Sequence, residues 1–141
     1  MFPPITQTVP LLQPRGMSKV TPLKLLIVDD HAALRRTLRH LFDEREVSIL
    51  EAESGEEALE IFATEHPDWV IMDMRMPGMG GLKATEAIHQ LAPQTRVVVI
   101  SQFTDPEYSE LARKAGAVEF VNKEDMAHVV ELIRRHSRLQ P

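Results

Sequence analysis

Residues 24–30, KLLIVDD, run four consecutive apolar side chains into the carboxylate pair Asp29–Asp30. A short run that is apolar on both faces reads as a strand of a parallel sheet with helices on each side. Three further runs end in the same way: 69–73, WVIMD, at Asp73; 96–101, RVVVIS, at Ser101; and 118–123, VEFVNK, at Lys123. If these strands lie parallel in one sheet, all five polar side chains gather at its carboxyl edge, where open α/β sheets bind ligands.

Amphipathic segments separate the runs. Residues 31–44 place Ala33, Leu34, Thr37, Leu38, Leu41 and Phe42 on one face of a first helix. Residues 47–50, VSIL, form a second strand, and Ser54 to Glu57 reads as a capping box opening a second helix with Ala58, Leu59, Phe62 and Ala63 inward. Pro67 stops that helix. The turn-rich 77–81, PGMGG, leads into a third helix to Leu91. Asp105-Pro106-Glu107 supplies a capping acceptor, a proline at the first helical position and an acid in the first turn of a fourth. Gly116 closes it, and Asp125 to Arg138 forms a fifth with Met126, Val129, Val130 and Ile133 inward. Strict alternation with short connections and right-handed crossovers predicts an α/β fold. It is a flavodoxin-like, doubly wound, five-stranded parallel sheet of order 2-1-3-4-5 with five helices, which sets Asp29–Asp30 beside Asp73.

Bulk properties narrow the function. The chain has 141 residues, room for one full core and not for a second domain. Its net charge of −5 disfavours a nucleic-acid footprint, which needs a basic patch. It has no cysteine, which excludes disulfides and a thiol nucleophile, and no apolar stretch long enough for a membrane span. A cytoplasmic location is expected. Residues 1–22 hold prolines, no acid and no periodicity; they read as a disordered Pro-rich leader or the product of an upstream start, with Met17 an alternative initiator. A Pro-rich partner-binding tail is the other reading, and no PxxP repeat supports it.

Three crowded carboxylates repel one another, and a hard divalent ion such as Mg²⁺ relieves the conflict through oxygen ligands. Lys123 adds a fixed positive charge and Ser101 a hydrogen-bond donor. Attack by a carboxylate on a phosphoryl group needs this set: nucleophile, metal, cation and donor around the transferred oxygens. Asp73, at the end of the central strand, is the expected nucleophile. Taken singly, Asp29–Asp30 reads more readily as a helix cap, Lys123 as a solvated loop lysine and Ser101 as a strand-end hydroxyl. Their joint placement outweighs those readings.

The segments 27–31 (IVDDH), 72–81 (MDMRMPGMGG), Ile100-Ser101 and 120–123 (FVNK) together resemble the receiver domain of two-component response regulators, over Leu23 to about Arg138. The resemblance implies a phosphoacceptor domain rather than an enzyme with an outside substrate. A sensor histidine kinase, a phosphotransfer protein or a small phosphodonor would phosphorylate Asp73. Asp30, Asp73 and the backbone carbonyl of Arg75 would bind Mg²⁺ directly, and Asp29 would bind it through a water. Lys123 would bridge Asp73 and the phosphoryl group. Ser101 and Phe120 would be the switch, altering the surface of the fourth helix, fifth strand and fifth helix that a downstream protein reads. Phe120 reads equally as a plain core residue.

Departures matter too. Glu124 follows Lys123 where the family usually has proline, so the usual cis peptide is not expected. That variant, Asp30-His31 and 105–108, DPEY, resemble receivers that precede a helix-turn-helix output domain. Whether this receiver stands alone or is cut from a longer regulator is open, and Gln140-Pro141 would suit a linker. Gln102 is expected to narrow access to Asp73 and Gly80 to be a neutral change. Arg75 and Phe103 sit where the family tunes lifetime, and the bulky apolar Phe103 is expected to slow autodephosphorylation. A homodimer or protein contact through Tyr108, Glu110, Arg113, Lys114, Glu131, Arg134 and Arg135 is expected. His40 and His136 are expected on the surface. Two rival functions are a receiver-fold interaction module without regulated phosphorylation and an aspartate-nucleophile phosphohydrolase. Intact acids, Ser101 and Lys123 count against the first, and the lack of a D-x-D pattern after the first strand counts against the second.

Overall fold

Parallel strands β1 (Leu23–Val28), β2 (Val47–Ala52), β3 (Trp69–Asp73), β4 (Arg96–Ser101) and β5 (Glu119–Asn122) form one sheet of order β2-β1-β3-β4-β5 in a computed structural model that describes residues 22–138. The leader expected over residues 1–22 lies outside the described residues except for its last position, as does Gln140-Pro141. The helices are α1 (Ala32–Leu41), α2 (Gly55–Glu65), α3 (Gly81–Leu91), α4 (Pro106–Ala115) and α5 (Met126–Arg138). Among the described residues no helix is long and apolar enough to cross a membrane.

Side chains alternate between the faces of a strand, and here both faces are apolar. Leu25, Ile27, Ile71, Val98 and Ile100 pack with Leu38 of α1 and Val129 and Ile133 of α5. Leu26, Val28, Val70, Met72, Val97 and Val99 pack on the other side with Ala58 and Phe62 of α2, Ala84 and Ile88 of α3 and Ala112 of α4. Each fully buried aliphatic side chain contributes about 1.5–3 kcal/mol, so these two layers hold the sheet edge in place. The register, with Val28 opposite Met72 and Asp73 opposite Ile100, brings the ends of β1, β3 and β4 level.

Two glycines permit close approaches. A Cβ on Gly81 would lie 1.9 Å from the carbonyl oxygen of Asp73, so only glycine lets α3 begin directly against the end of β3. Gly116 caps α4 in the left-handed region at φ 109° with His89 against it. His66 takes the same region at φ 49° to end α2 before Pro67, because a residue preceding proline is disfavoured in the helical conformation.

Several local expectations are corrected. The first helix stops at Leu41, and Ala33, Thr37 and Leu41 are exposed, leaving Leu34, Leu38 and Phe42 inward. The apolar stripe is narrower because Arg35 and Arg39 take part of the inward face. Ala63 is exposed on α2. The capping box is displaced: Ser54 Oγ accepts from the Glu57 amide, but the Glu57 carboxylate accepts from the amide of Glu53 rather than that of Ser54. The Asp105 side chain makes no cap hydrogen bond; its carbonyl accepts from Tyr108 instead. His136 is half-buried, with its ring edge-on to Trp69 and Nδ1 at the Leu132 carbonyl. No described peptide bond is cis.

Candidate functional site

The strand ladders extend past their last residues to fix the site. The Asp29 amide donates to the Ala52 carbonyl at 3.1 Å, Met74 to Ile100 at 2.9 Å and Lys123 to Ser101 at 2.9 Å. Asp29, Asp73 and Ser101 are thereby buried at the carboxyl edge, while Asp30 is exposed beside them. Lys123 Nζ stands between two carboxylates, 3.0 Å from Asp29 Oδ2 and 3.1 Å from Asp73 Oδ1. The lysine side chain is only 12% exposed. Apart from this ion pair, Asp29 Oδ2 is buried without a partner. Asp73 Oδ1 also accepts from the Arg75 amide at 3.3 Å, whereas Asp73 Oδ2 is buried with no partner at all.

Electrostatics follow from this geometry. Burial, then the neighbouring Asp29 charge, push the Asp73 carboxyl up to about 6, and Lys123 offsets only part of that. Burial alone would lower Lys123, but the Asp29 and Asp73 carboxylates outweigh it and hold its ammonium above the ordinary value. Ligand atoms of Asp29, Asp30, His31 and Asp73 all fall within 4.8 Å of one another. Three carboxylates therefore face one ammonium, with buried oxygens unsatisfied. That donor set fits a hard divalent cation, for which Mg²⁺ with several retained waters is well suited.

The remaining expected residues border this centre. Ser101 Oγ accepts from the Phe103 amide at 2.9 Å, leaving its own hydroxyl proton to donate. Arg75 turns its side chain away from the acids. Its guanidinium lies 4.8 Å from the Phe103 ring centroid and 5.6 Å from that of Tyr108, with Nη2 3.2 Å from the Tyr108 hydroxyl. Tyr108 is therefore half-buried rather than part of a free outer face. Gln102 lines an open cleft of about 400 Å³ with His31, Leu34, Lys123 and Glu124, beside the acids. Phe120 is half-buried against the apolar layer of α2, α3 and α4.

A profile of the family described as the response regulator receiver domain matches residues 25–134. The chain belongs to this family. The receiver is 40% identical over 114 residues to the transcriptional activator protein ExaE of Pseudomonas putida, covering 79% of this chain and 53% of that protein. It is 33% identical over 116 residues to the response regulator GacA of Pseudomonas aeruginosa, covering 80% and 54%. Among solved structures, a LuxR-family two-component response regulator from Aurantimonas sp. SI85-9A1 superposes with a TM-score of 0.75 at 30% identity, covering 82% of this chain and 84% of that one. The receiver spans about half the length of the curated relatives it matches. Membership makes residues 25–134 a receiver domain, the signalling module of response regulators.

Two sets of contacts in the receiver were not read from sequence. His31 joins the acid cluster, its Nδ1 3.1 Å from Asp29 Oδ1 and 3.2 Å from Asp30 Oδ1. Its position directly after Asp29–Asp30 was the available signal. Arg35 donates Nη1 to the Asp29 carbonyl at 2.7 Å and Nε to Glu51 at 2.8 Å. The hydrogen bond from Arg35 holds the Glu51 carboxyl below its ordinary range. Here the signal was a glutamate in an otherwise apolar strand, facing arginines one helical turn apart.

Proposed function

We propose that this receiver accepts a phosphoryl group on Asp73 from a sensor histidine kinase, a phosphotransfer protein or a small phosphodonor, and that Mg²⁺ is required. The observation that carries the reading is Asp73 Oδ2, a buried carboxylate oxygen at the end of the central strand with no partner. Oδ2 attacks phosphorus; the bond from phosphorus to the donor's leaving atom, the imidazole nitrogen of a phosphohistidine or the acyl oxygen of acetyl phosphate, breaks, and its electron pair stays on that atom. Lys123 holds Oδ1, then shares its charge with the phosphoryl oxygens. Ser101 leaves the Phe103 amide and donates its hydroxyl proton to one of them. Asp29, Asp30, Asp73 and the Arg75 carbonyl would hold Mg²⁺, which would supply positive charge against the phosphoryl oxygens.

In this reading Ser101 and Phe120 carry the change to the surface of α4, β5 and α5, where Leu111 and Val118 are exposed among Glu110, Arg113 and Lys114. New charge-assisted hydrogen bonds are each worth about 1.5–3 kcal/mol. Complete inversion of a two-state equilibrium takes about 5.5 kcal/mol, so two or three such contacts suffice. The receiver spans residues 23–138, acts in the cytoplasm and does not itself bind nucleic acid or membrane. The relatives' names as transcriptional regulators support transcription as the process controlled, through a downstream protein, a homodimer or an attached segment.

The test is mobility in a phosphate-affinity gel after acetyl phosphate, with and without Mg²⁺, for wild type and Asp73→Ala. A Mg²⁺-dependent shift confined to wild type is expected. An equal shift in Asp73→Ala, or none in folded wild type, contradicts the reading.

A further inference from the structure

We infer that Arg35 is a positioning residue for the acid pair, setting the site's affinity for a divalent cation through the backbone of Asp29. The inference rests on the proposed reading of the acid cluster as a Mg²⁺ site. Arg35 rises from α1 beneath the β1–α1 turn and is only 12% exposed. Nη1 donates to the Asp29 carbonyl at 2.7 Å, while Nε donates to Glu51 Oε1 at 2.8 Å. A planar guanidinium engaged on two edges has little freedom to rotate. Glu51 is itself held from the next turn of α1, where Arg39 Nε donates to Oε2 at 2.9 Å.

The Asp29 carbonyl belongs to the peptide that joins Asp29 to Asp30, so holding it fixes the direction in which Asp30 leaves the strand. On the other side the Asp29 amide is held by the Ala52 carbonyl of β2. His31, the N-cap of α1, makes no side-chain cap bond. The turn is therefore tied by Arg35, by β2 and by the His31 amide on Asp29 Oδ1. Repulsion among Asp29, Asp30 and Asp73 works against it. Without Arg35 the turn relaxes by moving the Asp30 carboxylate away from Asp29 and Asp73, and a ligand oxygen is lost.

Outer contacts that orient metal ligands typically change affinity about 10–100-fold when removed. Arg39 supplies the control, since it shares Glu51 with Arg35 but makes no contact with Asp29. Calorimetric Mg²⁺ titration of the full chain is expected to give about ten-fold weaker binding for Arg35→Met, a smaller loss for Arg35→Lys, and wild-type affinity for Arg39→Met, each at a temperature where circular dichroism shows it folded. Equal affinity in Arg35→Met and wild type, or equal losses in Arg35→Met and Arg39→Met, overturns the inference. Amide exchange at Asp30 and His31 without metal gives a second readout, expected faster in Arg35→Met and Arg35→Lys than in Arg39→Met. Equal exchange rates in all three overturn the positioning role. Absence of Mg²⁺ binding by wild type overturns the metal reading and the affinity claim with it, and the exchange rates then still decide whether Arg35 positions the turn.

Discussion

Lys123 Nζ stands 3.1 Å from Asp73 Oδ1 and leaves Asp73 Oδ2 buried without a partner. One oxygen of the carboxylate is thus anchored while the other faces the place where a phosphoryl group would arrive. Breaking a fully buried ion pair by deleting one partner costs about 3–5 kcal/mol. Lys123 keeps some solvent contact, so Lys123→Met is expected to lose about 2–3 kcal/mol at neutral pH, read by urea denaturation. Acid should reduce the deficit, because Asp73 takes up a proton.

The pH dependence has a defined sign. The native Asp73 carboxyl is raised from an ordinary 3.8 to about 6, so the folded state binds this proton more tightly than the unfolded state. Stability from this group is full below the ordinary value and is lost as pH rises through about 6. Asp73→Asn is therefore expected to melt higher than wild type at pH above that value in EDTA, with the difference vanishing toward the ordinary carboxylate range. A difference that grows on acidification contradicts this.

Divalent metal should reverse the order. A ligand that binds only the folded state at a hundred times its Kd adds about 2.7 kcal/mol. Mg²⁺ is expected to raise the Tm of wild type, and to leave Asp30→Asn and Asp73→Asn near their metal-free values. Thermal melts across a Mg²⁺ series check this, and identical responses in all three proteins would count against the acid cluster as the site.

Phe103 follows Ser101 by two residues and stacks with Arg75 and Tyr108. Its apolar ring offers a hydrolytic water no polar contact. Slow loss of label is expected for the wild type, and several-fold faster loss for Phe103→Asn. Decay of radiolabelled protein after removal of the donor measures both rates.

Strand identity and order were legible because β1, β3 and β4 are apolar on both faces and run into polar residues at their carboxyl ends; with the order 2-1-3-4-5, the runs 24–30 and 69–73 put Asp29 and Asp73 side by side. Helix faces were less legible where long cationic side chains lie inward: Arg35 and Arg39 pair with Glu51, and the apolar stripe of α1 shrinks accordingly. Asp105 has the residue type of a cap, yet its carboxylate makes no such bond, since type alone does not fix a side-chain rotamer. Of the site, the carboxylates, Ser101 and Lys123 were read from strand ends. The Arg35 tether to Asp29 and the stacking of Arg75 on Phe103 depend on where long side chains turn in space, which no spacing rule records.

The proposed acceptor role belongs to Asp73. It is tested most directly by tandem mass spectrometry of wild-type protein treated with acetyl phosphate and Mg²⁺, then trapped with borohydride to mark the acyl phosphate. The modification is predicted on Asp73 alone and only when Mg²⁺ is supplied. A mark on Asp29 or Asp30, or one that persists in EDTA, would contradict it.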